Sequence, residues 1–291
     1  MNIYVQSRGF DQDEDYRWQK INRGESGQIE LPPISVELGN LIDNDTPSLV
    51  LAQLSEELLL LLITGIEPEG RIDFLDRQIR ISVAWVGDIS EEPILRYLAI
   101  RALNEQEPSN SNLSLENSLA AAIDQAITFG GEYGFEVSPS LMEELIFQST
   151  STPFPSSNPP NPTKKIGPNL PKLKNQLAEE LQDCHLPREI APLVVVTGIK
   201  KRETLESRGI WRSLSSLVDT DDWIEIPEKS WLSALNLPQG QDLKNPVMWL
   251  ILLTAIVSYL ISFLVNLISA RKKLPSWEVK SQKSKVKSEK T

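Results

Sequence analysis

The sequence predicts an α/β or α+β domain, a small mixed sheet with several helices, followed by one C-terminal transmembrane helix. Three observations carry this expectation. Val247 to Ala270 (VMWLILLTAIVSYLISFLVNLISA) runs for 24 residues without a charge. As a helix rising about 1.5 Å per residue it reaches roughly 36 Å, enough to cross a hydrocarbon core of about 30 Å. Ile79, Ile81, Val83 and Trp85 alternate with Gln78, Arg80, Ser82 and Ala84, the period of a half-buried strand. Between such runs lie segments whose apolar residues recur at helical spacing.

The apolar run has defined ends. Asn245 is a capping residue and Pro246 suits the first helical position. Trp249 marks one interface, and Arg271, Lys272 and Lys273 form a basic, lipid-facing flank at the other. Inside it Thr254, Ser258, Ser262 and Asn266 recur every four residues, with Ala270 continuing the series. Such a stripe lets helices approach closely in lipid, and Asn can hydrogen-bond across. The expected partners are therefore the bilayer and, through this stripe, another protein or a second copy. No ionisable residue lies in the run, which argues against ion or proton transport.

Charge is divided along the chain. Residues 271–291 hold eight Lys/Arg and two Asp/Glu, a net of +6, and the rest carries −17. The positive-inside rule places the basic tail in the cytoplasm. The opening MNIYVQSRGF has no apolar signal region, which leaves the acidic domain in the cytoplasm instead. The second constraint is given more weight. So acidic a domain is not expected to bind nucleic acid. Cys184 is the single cysteine, which excludes an intrachain disulfide.

Taken in order, Asn2 to Val5 reads as a short strand ended by Gly9. Asp11, Asp13, Glu14 and Asp15 have the opening spacing of an EF-hand loop. Tyr16 stands where such a loop needs Gly and Asn22 where it needs Glu, so a solvated turn is expected and no metal. Pro47 to Ile66 reads as a core helix, with Val50, Leu51, Leu54, Leu58, Leu61 and Leu62 on one face. Arg71, Asp73, Asp76, Arg77 and Arg80 crowd the turn before the alternating strand. The arginines are candidates for an anion site, or for a salt-bridged turn.

Ser90 is expected to cap a helix reaching about Leu103. Leu115 to Phe129 reads as an Ala-rich helix stopped by Gly130 and Gly131, and a further helix begins near Ser140 with Glu143 completing a capping box. Ser149 to Pro168 holds six prolines amid Ser, Thr and Asn, a linker or long surface loop. Leu170 to Leu181 reads as a helix. Asp183, Cys184 and His185 follow, but neighbours in sequence project apart and form no catalytic pair by that alone.

Leu193 to Thr197 is a compact apolar strand needing neighbours on both sides, and its own segment offers only Trp223 to Ile226. It is expected to join the sheet of the first segment, with two separate subdomains as the alternative. Lys200, ahead of the next helix, is a further candidate for anion binding.

The expected organisation is thus an acidic α/β domain over 1–148, a Pro-rich linker or loop over 149–168 and a second α/β segment over 169–245. A transmembrane helix over 246–270 and a basic tail over 271–291 follow. No catalytic motif and no cofactor motif stands out. The function expected is that of a membrane-anchored, non-enzymatic interaction or signalling protein with lateral assembly through its helix. The alternatives are a membrane-tethered enzyme or phosphate-binding domain, using Arg71, Arg77, Arg80 or Lys200, and an accessory subunit of a larger membrane complex.

Overall fold

The chain divides into two units, Met1–Glu228 and Lys229–Thr291. The structure, a computed structural model, describes residues 1–227 except 12, 23–26, 69, 105–117 and 151–157. The expected span Val247 to Ala270, its stripe of Thr254, Ser258, Ser262 and Asn266, and the flank Arg271, Lys272 and Lys273 lie outside the described residues. Among those described, no helix is long and apolar enough to cross a membrane.

The first unit is a mixed α/β structure. Strands β1 (Asn2–Ser7), β2 (Arg17–Ile21) and β3 (Gln28–Ile29) form one antiparallel meander. Strands β4 (Ser48–Gln53), β5 (Leu58–Ile66) and β6 (Ile81–Asp88) form another, and β1 pairs with β6 to join them. A separate hairpin holds β7 (Ile127–Phe129) and β8 (Phe135–Val137). Strands β9 (Lys164–Pro168), β10 (Pro192–Thr197) and β11 (Arg212–Ser215) run parallel, and β12 (Ile224–Ile226) closes the edge antiparallel to β9. The sheet order is β12-β9-β11-β10-β4-β5-β6-β1-β2-β3. β10 is hydrogen-bonded to β4 on one side and β11 on the other, so the segments before and after the proline-rich stretch share one sheet.

Six helices are seen among the described residues: α1 (Val36–Gly39), α2 (Glu92–Asn104), α3 (Leu119–Gln125), α4 (Pro139–Thr150), α5 (Pro171–Asp183) and α6 (Arg202–Ser207). Apolar side chains of α2, α3, α4 and α5 pack with Leu49, Leu51, Leu59, Leu61, Val83 and Trp85 on one face of the sheet. Leu38 of α1 and Leu205 of α6 pack with Val50, Ala52, Leu60, Leu62 and Val195 on the other.

Several expectations are corrected. Pro47 to Ile66 is not a helix but the β4–β5 hairpin, with Leu51 opposite Leu61 and Gln53 opposite Leu59. Its tip is set by Ser55, whose Oγ accepts from Glu57 N and Leu58 N at 3.3 and 3.1 Å. Strands covered on both faces read as unbroken apolar runs, which periodicity cannot tell from a buried helix. For the same reason β6 is buried on both faces rather than half-buried, with Ala84 and Ser82 as enclosed as Trp85 and Val83. The expected small sheet has ten strands.

Ser90 is not the cap of α2. It lies in a 3₁₀ turn, Ile89–Glu91, where Asp88 and Glu91 form a reciprocal capping box. Among the described residues of the Leu115 to Phe129 segment the helix is α3, and β7 follows. Gly130 and Gly131, both at positive φ, make the hairpin turn rather than a helix stop. The last five residues of the expected linker are β9, paired on both sides. A single apolar residue between two lysines and a Gly-Pro gave no sign of this.

Leu61 and its cross-strand partner Trp85 are fully buried at the centre of the larger apolar layer. Leu61→Ala should lower unfolding free energy in a urea titration by about 2–5 kcal/mol, the usual cost of a core cavity. Leu58→Ala, at the exposed end of the same strand, should cost less than about 1 kcal/mol.

Candidate functional site

Because β1 and β5 run parallel to β10, their C-terminal ends lie at the same edge of the sheet. Three loops at or beside that edge build a distinctive surface among the described residues. They are residues 8–16 between β1 and β2, 67–80 between β5 and β6, and 130–134 in the β7–β8 hairpin.

Each loop has a local reason for its shape. In the first, Glu14 N donates to Asp11 O at 3.2 Å, and Asp11 N donates to the Glu14 carboxylate at 3.1 Å. The acidic cluster is therefore a self-capped turn. Among the described residues, no group of three or more His, Cys, Asp or Glu is placed to hold a metal ion.

The second loop is organised on Asp73. Its Oδ1 accepts from Leu75 N at 2.8 Å and Arg77 N at 3.0 Å, and its Oδ2 from Arg77 Nε at 2.9 Å. Arg8 adds an ion pair at 3.4 Å. Burial pushes the Asp73 carboxyl up, but these donors outweigh it and hold the group down at about 2. The third loop turns on glycines. Gly134 has φ +81°, and a Cβ there would lie 2.8 Å from Gly9 Cα, so hairpin and first loop meet backbone to backbone.

The loops are bonded to one another. Phe74 N donates to Phe10 O at 3.2 Å, and Arg80 N to Tyr16 Oη at 2.9 Å. Arg71 donates to the Asp124 carboxylate, to Asp124 O at 2.8 Å and to Ile127 O, with Phe129 5.1 Å from its guanidinium. A cation at the C-terminal end of α3 also complements the helix dipole. On this frame stand Phe10, Tyr16, Ile72, Leu75 and Phe129, which are between 42 and 57% exposed. Large apolar side chains held outward by an interlocked frame need an explanation that scattered ones do not.

The three arginines nominated from sequence all lie on this frame, and each is bound by a different carboxylate. Arg71 meets Asp124, Arg77 meets Asp73 at 2.7 Å and Arg80 meets Glu67. Lys200 is elsewhere. It follows β10 at the same edge, two strands from β5 or about 10 Å at ordinary strand spacing. Its carbonyl accepts from Ser215 Oγ at 2.5 Å. That hydroxyl belongs to a row on one face at this edge, in which Thr64 pairs with Ser48 and Thr197 with Ser215. All four are buried and bond to the neighbouring loops.

Sequence reasoning missed Phe10, Leu75 and Phe129. The available signal was an apolar residue inside or directly before each charged or glycine-rich turn. It missed a second polar cluster too. Buried Glu92, at the start of α2, accepts from Leu186 N at 2.8 Å and pairs with Arg188 at 3.0 Å. His185 Nδ1 and Arg96 Nε each stand 3.3 Å from it. Arg96 Nη1 donates to Leu181 O and Cys184 O, both at 2.7 Å, capping the end of α5. His185 thus faces Glu92. The Cys184 thiol is pushed up by burial and by Glu180 and Asp183, against the pull of Arg212 and Arg96, the reverse of an activated nucleophile.

The depressed Asp73 carboxyl fixes a pH dependence. Its anion stabilises the fold above its ordinary value of 3.8, and the contribution is lost as pH falls toward about 2. Wild type should therefore melt above Asp73→Asn at pH 6, and the gap in Tm should close between pH 3.8 and about 2. A gap that stays constant over that window would disprove the assignment.

The chain matches no protein-family model, no curated protein and no solved structure, so the geometry of the site alone carries its interpretation.

Proposed function

We propose that this chain is a membrane-anchored interaction protein that presents the three-loop surface to a protein partner. One observation supports this above the others: Phe10, Ile72 and Leu75 on the loops and Phe129 at the end of β7 are exposed, and Asp73, Arg71 and the Gly9–Gly134 contact lock these segments together. A prearranged apolar surface loses little conformational entropy on binding, the usual requirement for a protein docking site. The uncharged run Val247 to Ala270 supports the anchor. A non-enzymatic role is favoured because the ionisable groups with catalytic potential are engaged with one another. Glu92 is surrounded by donors, Cys184 is held as a thiol, and Arg71, Arg77 and Arg80 are ion-paired. Lateral assembly through Thr254, Ser258, Ser262 and Asn266 completes the proposal.

A photocrosslinking side chain at Leu75 or Phe129, in the full chain within native membranes, should yield adducts of defined mass. One at Leu217, an exposed apolar residue outside the three loops, should not. If Leu75 and Phe129 give no defined adduct, the surface is not a docking site. Replacing Ser258, Ser262 and Asn266 together by Leu should lower the assembly size in detergent. An unchanged size would remove the role of the stripe.

A further inference from the structure

We propose that the three-loop surface takes a basic polypeptide segment, one whose lysines or arginines flank exposed aliphatic or aromatic side chains. This rests on the interaction role above and adds the chemistry of the partner. Loops 8–16, 67–80 and 130–134 contain nine carboxylates and four arginines. All four arginines are ion-paired within the fold: Arg8 and Arg77 share Asp73, Arg80 meets Glu67, and Arg71 meets Asp124 of α3. Asp11, Asp13, Asp15, Asp76 and Glu132 are exposed and have no cationic partner among the described residues. Arg17, the first residue of β2, lies 6.0 Å from the Tyr133 ring. Internal pairing therefore leaves exposed apolar side chains and five exposed carboxylates without a cationic partner on the same group of loops.

That distribution selects the partner's sign. Such charges steer encounter and reject like charge, while the apolar side chains supply most of the affinity. A second copy of this chain, with its acidic domain, would bring carboxylates against carboxylates, as would nucleic acid or an anionic lipid. A neutral apolar partner would partly desolvate these carboxylates with nothing to compensate it. A basic segment with interspersed apolar residues satisfies both parts.

The test uses the full chain in nanodiscs of phosphatidylcholine, with empty nanodiscs as the blank. The probe is a fluorescein-labelled 12-residue peptide in which pairs of Lys separate single Leu and Phe residues. One control peptide replaces Lys by Glu, another replaces Leu and Phe by Ser. Fluorescence anisotropy should show binding of the first peptide and at least about 10-fold weaker binding of both controls. Leu75→Ser and Phe129→Ser should each weaken it about 10-fold, as loss of an apolar anchor does.

The triple variant Asp13→Asn, Asp15→Asn, Asp76→Asn should weaken binding by a similar factor. Glu203→Gln, Asp219→Asn, Asp221→Asn changes net charge equally at exposed positions outside the three loops and should leave it unaltered. Asn is well tolerated at the positive φ of Asp76, and the other altered residues are exposed, so unchanged melting temperatures will show that folding is intact. Equal losses in the two triple variants, or preference for the Glu peptide, would overturn the proposal. So would absence of binding. If Leu75 crosslinks in membranes while the basic peptide fails, the partner chemistry is wrong and the docking role stands. If both fail, the docking role is wrong as well.

Discussion

The constraint on which the structure depends is that its central strands are apolar on both faces. Leu59 to Ile63 place successive side chains on alternate sides of the sheet, and none of them reaches water. A strand of this kind needs two covering layers and a neighbour on each edge. The antiparallel meanders supply neighbours but cannot supply layers, because their own connections are mostly turns and loops. The layers come from elsewhere in the chain. α2 to α5 cover one face, and α1 and α6 the other. The C-terminal segment is therefore bound into the first by two needs at once. β10 requires β4 as a neighbour, and α2, which covers β4–β6, packs in turn against α5.

Where so much of the interior is apolar, the few buried ionic groups have a positional role. Glu92 and Arg96 tie the first turns of α2 to the end of α5. Arg212, fully buried in β11, donates to Glu180 of α5 at 2.6 Å. Removing one partner of such a pair leaves the other charged and desolvated, which costs far more than the pair itself contributes. These groups act as register marks that fix where α5 sits along the sheet. The hydroxyl row of Thr64, Ser48, Thr197 and Ser215 does the same at the loop-bearing edge, through neutral groups bonded to the loops around them.

The three-loop surface follows from this edge. Short strand ends project the loops in a common direction, and Asp73 gathers backbone donors and two arginines into one turn. The arginines that sequence singles out are spent on holding this shape. What remains outward is a set of apolar side chains and unpaired carboxylates. Frame and contact surface are thus made by different residues of the same loops, which is how a loop can be both rigid and available.

The sequence by itself determined the existence of β1, β6, β10, β12, α2, α4 and α5, and the location of the arginine-rich turn. In these segments local signals agree: capping residues, proline and glycine at the ends, and apolar spacing of one period. It also determined the uncharged 24-residue run, since length and absence of charge need no partner to be recognised. Tertiary structure decided the rest. Residues 48–66 form a hairpin rather than a helix because two covering layers bury both faces, which removes the polar alternation that would identify strands. β9 exists because β11 and β12 offer it hydrogen bonds, not because Lys164 to Pro168 favour extension. The same holds for the site. Phe10, Leu75 and Phe129 are far apart in sequence, and only the loop contacts made by Phe10, Phe74, Arg71 and Gly134 bring them together. Pairwise contacts across long sequence separations carry no local signal, so no reading of neighbouring residues could have assembled that surface.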